Sequence, residues 1–186
     1  GPKAGGPHYV RRFSRAAPPP EHPALPGPRA DPAAVQAALD RLPAAGRSVL
    51  ARREMPGPTG ESNVLSLYSR GRVLCLGPTP EDALEQARLA AAEGCPALIV
   101  CPGVDREDAV AGHLDREALT TLTGFAMVAL WSAPGDLSAA RQALAARDGP
   151  LVQLVTDRDL AERCVIERHV CIDTTASGGN ASLLAD

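Results

Sequence analysis

Aromatic side chains are scarce in this 186-residue chain: two Phe, two Tyr and one Trp make up 3% of it. With 45% hydrophobic residues overall, the core has to be assembled from Ala, Leu and Val. Basic runs are also missing. The 19 Lys and Arg are interleaved with 22 Asp and Glu, and the formal net charge is -3. A nucleic acid or an anionic membrane surface calls for a basic face, so neither is expected as a partner through this segment. No apolar stretch approaches the ~20 residues of a membrane span. The chain lacks an initiator Met and a leader with a charged start and an apolar middle. Its glycine-rich opening, "GPKAGGPHYVRRF", reads as the continuation of something longer, so a piece cut from a larger protein is expected.

Several site signatures are missing too. The five cysteines (Cys75, Cys95, Cys101, Cys164 and Cys171) are odd in number and show no CxxC or CxxH spacing. That excludes a tidy disulfide framework and a standard zinc site. Three of the cysteines sit in apolar, strand-like runs and read as small buried hydrophobes, and a reducing, cytoplasmic compartment is expected. Neither GxGxxG nor GxxxxGK[ST] occurs. His8, His22, His113 and His169 are scattered, with His113 expected on a helix surface and His169 at a strand edge. Asp105, Arg106, Glu107 and Asp108 read as a solvated charge cluster, and Trp131 as core. No catalytic, cofactor-binding or metal-binding residue is nominated.

What is abundant is proline. "APPPEHPALPGPRADP", from Ala17 to Pro32, holds seven of them. Such a stretch is extended and semi-rigid, which predicts a linker over 17–31. Asp31 then offers an N-cap and Pro32 a first helical residue, with Val35, Ala38, Leu39 and Leu42 along one face. "GRSVLARRE" predicts a second short helix. From there the chain alternates. "NVLSLYS", "RVLCLG", "PALIVCPG", "FAMVALWS", "PLVQLVTD" and "RHVCIDTT" predict strands. "TPEDALEQARLAAAEG", part of "REDAVAGHLDREALTTL", "DLSAARQALAARDG" and "RDLAERCV" predict helices. Strands alternating with helices imply an α/β fold with a doubly wound, mostly parallel, Rossmann-like sheet.

Such folds bind ligands beyond the carboxyl ends of their strands. The loops there read "PTPED", "VDRED" and "APGD". Prolines remove backbone donors and acids repel phosphate, so no NAD or FAD is expected to bind this segment.

Four stretches resemble a known family. "GPKAGGPHYVRRF" resembles the end of the aldehyde dehydrogenase module in the bifunctional proline utilization A family, which oxidises proline to glutamate. "RGRVLCLGP", the Ala-rich helix and "PALIVCP" resemble the opening of the aldehyde dehydrogenase NAD-binding fold, and "ALAARDGPLVQLVT" is similar to the superfamily segment leading to its general-base glutamate. "CIDTTASGGNASLLA" resembles the C-terminal motif of the long family members. The resemblance implies FAD and NAD in the parent enzyme. It also implies a non-catalytic C-terminal domain that covers the tunnel passing the semialdehyde between two active sites. At the superfamily's pyrophosphate loop this chain reads "WSAPGD", from Trp131 to Asp136, and at its general base "TDRDL", from Thr156 to Leu160.

The expected division is therefore 1–16 as the end of the preceding dehydrogenase module, 17–31 as linker, 32–170 as a Rossmann-like non-catalytic domain, and 171–186 as a docking motif. Within that motif Thr174, Thr175, Gly178, Gly179, Asn180, Leu183 and Leu184 are the interface candidates. "NASLLAD" is too short for a useful helix dipole, so the double glycine is read as a turn ahead of two docking leucines rather than as a phosphate loop. The expected partner is the remainder of the parent chain, especially its dehydrogenase module, with a homo-oligomer left open. Two other readings stand beside this one: an authentic NAD-binding domain of a divergent dehydrogenase, and a small flavodoxin-like binding module.

Overall fold

The computed structural model describes residues 3–14, 26–44 and 49–173. Helix α1 spans Pro32–Arg41, with the Asp31 carboxylate accepting the Ala33 N–H at 3.0 Å. It buries Val35, Ala38 and Leu39, as its sequence spacing predicts. The Arg72 guanidinium donates to the carbonyls of Leu42 and Pro43 at the end of this helix, at 2.7 and 3.0 Å. These are carbonyls for which a helix end has no internal partner.

A five-stranded parallel sheet holds the core. Its strands are β3 (Val73–Cys75), β4 (Ala97–Val100), β5 (Ala109–Val110), β6 (Met127–Ala129) and β7 (Gln153–Val155), in the order β5-β4-β3-β6-β7. The chain runs outward from β3 through β4 to β5, then returns to the other side of β3 for β6 and β7. This is the doubly wound order, with its reversal between β3 and β6.

Successive strand residues point to opposite faces, and both faces are covered. Val73, Cys75, Ile99, Met127 and Ala129 pack with Ala83 and Ala90 of α2 (Pro80–Ala92) and Leu160 of α4 (Leu160–Arg163). Leu74, Leu98, Val100 and Val128 pack with α1 and with Ala140 and Leu144 of α3 (Pro134–Ala145). Burial on both faces explains why these strands read as unbroken apolar runs.

A second, antiparallel sheet has the order β1-β2-β8, from Val49–Met55, Glu61–Ser69 and Val165–Asp173. Two expectations are corrected here. Within "GRSVLARRE" the described residues 49–54 lie in β1, not a helix, because pairing with β2 overrides the helix preference of their Leu, Ala, Arg and Glu. "NVLSLYS" and "RHVCID" do not join the parallel sheet; they pair with each other, Glu61 opposite Asp173 through Ser69 opposite Val165.

A third correction concerns 106–122, where a helix was expected in part. The chain forms β5 and a 3-10 helix over Arg116–Thr120. His113 lies between them in an extended bridge with Arg29, rather than on a helix surface. Through that bridge the end of the Pro-rich stretch is stitched to the domain: Ala30 N–H donates to the His113 carbonyl at 2.9 Å, and Ala30 is buried.

The front segment lies on the second sheet. Glu167 of β8 is only 3% exposed, and its carboxylate accepts the backbone N–H groups of Lys3 and His8 at 2.5 and 3.1 Å. Tyr9, Val10 and Phe13 stay exposed.

Candidate functional site

The reversal between β3 and β6 opens a crevice at their carboxyl ends, where doubly wound folds bind ligands. Three groups of residues decide its chemistry. The first is Gly77, two residues beyond the end of β3, with φ +75. A Cβ at this position would lie 2.9 and 3.0 Å from the backbone N and O of Thr79, so only glycine fits. The fully buried Gln86 side chain bonds both backbone groups of Gly77, accepting from its N–H at 3.1 Å and donating to its carbonyl at 2.9 Å. Trp131, just beyond β6, donates its own N–H to the same carbonyl at 3.0 Å.

The second group is the start of α2. Thr79 is its N-cap: the hydroxyl accepts the Asp82 N–H at 3.2 Å and donates to the Asp82 carboxylate at 3.0 Å. Pro80 stands at the first helical position and supplies no N–H. Asp82 is 5% exposed, so a buried carboxylate occupies the turn that would face a ligand phosphate.

The third group closes the opposite side. The indole N–H of Trp131 donates to the Asp157 carbonyl at 2.9 Å, and the Arg158 guanidinium lies 4.9 Å from the centre of the Trp131 ring. Arg158 also comes within 4.0 Å of the Asp82 carboxylate. "TDRDL" is thus the loop that seats Trp131, and its last residue, Leu160, is buried core. In the "WSAPGD" loop, Asp136 of α3 takes both Nε and Nη2 of Arg116, at 2.7 and 2.9 Å. Burial opposes the charge on Asp136. The Arg116 donors and charge, with help from the Ser132 hydroxyl and His113, outweigh it and hold the carboxyl below its ordinary value.

The crevice therefore satisfies itself. The helix start is capped by its own side chains, and a phosphate placed there would meet the Asp82 carboxylate. Among the described residues, no group of three or more His, Cys, Asp and Glu could hold a metal ion. No helix among them is long and apolar enough to cross a membrane. A cleft of about 360 Å³ lies elsewhere, between the front segment and the antiparallel sheet, lined by Lys3, Gly6, Met55, Pro58, Asn63 and His169.

Trp131 is core, and Arg106 pairs with Asp108 in an exposed salt bridge, both as expected. Cys75, Cys95, Cys101 and Cys164 are buried thiols and Cys171 is an exposed one. The interface candidates Thr174, Thr175, Gly178, Gly179, Asn180, Leu183 and Leu184 lie outside the described residues. Sequence reasoning missed Asp82 and Gln86. Their signal was two polar residues one helical turn apart on the stripe that also carries Ala83 and Ala90.

The fold and crevice together define a doubly wound α/β domain of Rossmann type whose ligand crevice is filled by its own side chains. Comparison with known proteins narrows this further. The chain is 34% identical over 146 residues to the bifunctional protein PutA of Escherichia coli K12, covering 72% of this chain and 11% of that protein. It is 31% identical over 221 aligned positions to PutA of Rhizobium meliloti, covering all of this chain and 17% of that protein. The chain is therefore homologous to a segment of the PutA proteins, and it spans only 11–17% of the length of these two relatives. Similar solved structures include a Bradyrhizobium japonicum proline utilization A, at 26% identity and TM-score 0.48, covering 57% of this chain and 13% of that one. Another is an NAD-dependent benzaldehyde dehydrogenase from Corynebacterium glutamicum, at 18% identity and TM-score 0.41, covering 57% of this chain and 28% of that one. No protein-family model matches the chain.

Proposed function

We propose that this chain is a non-catalytic lid and assembly domain of a bifunctional enzyme that oxidises proline to glutamate. In that enzyme it helps to close the tunnel between the proline dehydrogenase site and the NAD-dependent L-glutamate γ-semialdehyde dehydrogenase site. The observation that carries the reading is the buried Asp82 carboxylate, hydrogen-bonded to Thr79 at the start of α2. Dinucleotide-binding domains leave that helix start open, so that its backbone N–H groups reach the pyrophosphate. Here Thr79 caps it, Pro80 removes a donor and Asp82 repels an anion. FAD and NAD then belong to other modules of the parent enzyme.

Support for an assembly role comes from the antiparallel sheet. Val170 and Ile172, two residues apart on one face of β8, are 46% and 56% exposed. Such apolar exposure on a sheet face suits burial against a partner, and most of a relative's length lies outside this chain. In this reading residues 1–16 end the dehydrogenase module, 17–31 are the linker, 32–170 the lid, and 171–186 dock onto the dehydrogenase module. The parent works in the cytoplasm.

The competing reading is an authentic NAD-binding domain of a divergent aldehyde dehydrogenase. Titrating NAD into the 186-residue chain by calorimetry separates the two. Absence of binding heat up to about 1 mM ligand is expected, since a Kd above that value leaves less than ~4 kcal/mol of binding free energy. Saturable binding at micromolar NAD would overturn the lid reading.

A further inference from the structure

The cleft of about 360 Å³ between the front segment and the antiparallel sheet has a built floor and a fastened roof. Its floor is one face of the sheet. Asn63 and Leu65 lie two residues apart on β2, Met55 of β1 stands opposite Asn63, and His169 of β8 stands opposite Leu65. Side chains in such positions share a face. Leu65 and Met55, with Pro58 from the β1–β2 connection, make the walls largely apolar. The roof is residues 3–6. It is held by Glu167, two residues from His169 on β8, whose carboxylate accepts the Lys3 and His8 N–H groups. Glu167 is buried, and lifting the roof would strand that carboxylate without these donors.

Asn63 sets the chemistry. It is 7% exposed, yet among the described residues no hydrogen bond reaches its side-chain amide. Among the same residues the sealed side-chain nitrogen or oxygen without a partner is Arg147 Nε. The Asn63 amide is therefore not walled off; it opens onto the cleft that it lines. Buried amides are normally bonded, and this one keeps donor and acceptor vacant side by side in one plane. Gly57 leaves room for it, since a Cβ there would lie 2.5 Å from Asn63 Nδ2.

We propose that this cleft binds a small neutral ligand with an apolar body and a primary carboxamide or lactam group, which pairs with the Asn63 amide. Such a group presents a donor beside an acceptor and fills both vacancies at once. The Gln86 side-chain amide makes the same reciprocal pair with the N–H and C=O of Gly77. A carboxylate offers acceptors alone, so the Asn63 carbonyl would stay unmatched. It would also meet Glu61, which lines the cleft and already accepts the Cys171 thiol at 2.8 Å. Lys3 brings the opposite charge to the lining, and the balance favours a ligand without net charge. The volume lies at the small end of ligand sites, which suits a single ring or a short branched chain.

The test titrates cyclohexanecarboxamide into the 186-residue chain by calorimetry, beside its N,N-dimethyl amide and cyclohexanecarboxylate. Saturable binding of the carboxamide with a Kd of about 1 mM is expected. Both analogues should bind at least about tenfold more weakly, because each leaves one half of the Asn63 pair unmade. The side-chain amide NMR signals of Asn63 should shift on titration while those of Gln86 stay in place. Asn63→Leu removes the pair, and Gly57→Ala pushes the amide aside with a methyl group; each should weaken binding by about tenfold. No saturable binding up to about 20 mM would leave the amide to water and overturn the proposal. Equal affinity for the carboxamide and its dimethyl analogue would overturn it too, and that comparison needs no variant to fold.

Discussion

Gln86 and Gly77 form a reciprocal pair: one side-chain amide holds both the N–H and the C=O of one glycine in the centre of the ligand crevice. The Gly77 carbonyl has a second donor in Trp131 N–H, whereas its N–H is held by Gln86. Gln86→Leu fills similar volume but orphans that N–H, and a buried orphan costs about 2–3 kcal/mol. Gln86→Glu should be worse at neutral pH, because it sets a buried carboxylate against the Gly77 carbonyl. Urea denaturation at pH 7 should rank the proteins wild type, Leu, Glu in falling stability. Equal midpoints for wild type and Leu would show that the pair is dispensable.

Acid sensitivity should trace to Asp136. Its folded-state value is depressed, so its contribution to stability is present above the ordinary carboxyl range near pH 4 and is lost as pH falls through the folded-state value. Asp136→Asn breaks the paired contact with Arg116 and should cost about 1–2 kcal/mol at pH 7. The gap between wild type and variant should close towards pH 2. Thermal melts at several pH values would check this, and a gap that stays constant with pH would assign the loss to packing instead.

The stitching of residues 28–31 to the domain rests on Gly112. Its φ is +127, and a Cβ there would lie 2.7 Å from Ala30 N and 2.9 Å from Pro28 O, both backbone atoms. Gly112→Ala should therefore detach this segment, at a cost of roughly 1–3 kcal/mol. Limited proteolysis should then cut between residues 26 and 31 faster than in wild type, with the five-stranded sheet still resistant. Unchanged cleavage would mean that the Arg29–His113 bridge contributes nothing to order.

Much of the fold was legible because the strongest local signals agreed with it. Asp31 and Pro32 started α1, Thr79 and Pro80 started α2, and the unbroken apolar runs of β4 and β6 signalled a sheet buried on both faces. The antiparallel sheet was harder. In "ESNVLSLYS" the serines and Asn63 interrupt the apolar residues as on a wet face, yet Asn63, Ser66 and Ser69 are buried, and nothing local says that the strand's partner lies about a hundred residues away in β8. β1 was misread for a related reason, since its Leu, Ala, Arg and Glu favour helix until a neighbouring strand claims them. The closed crevice was half legible. The prolines and acids of its loops could be read from sequence, but the grip of Gln86 on Gly77 and the seat of Trp131 on Asp157 are tertiary contacts with no local signature.

Leu183 and Leu184, proposed above as part of a docking motif, offer a direct test of the lid reading. Beyond Asp173 the sequence continues through Gly178 and Gly179 to Leu183 and Leu184, and the paired glycines permit a sharp turn ahead of two apolar side chains. Burying both leucines contributes on the order of 3–6 kcal/mol, enough to hold a tail in place though not to fold a domain. Replacing both with Asp in the full-length protein reverses that sign, because two carboxylates would have to leave water at the docking surface. In the proposed parent enzyme, coupled conversion of proline to glutamate and the dehydrogenase step should both fall, while proline oxidation, which the proposal assigns to a separate domain, should be spared. The matching measurement follows NADH formation from proline and from added semialdehyde, beside a dye-linked assay of proline oxidation. If coupled turnover and dehydrogenase activity both stay at wild-type levels in a folded double variant, the tail has no docking role and the lid reading loses its anchor.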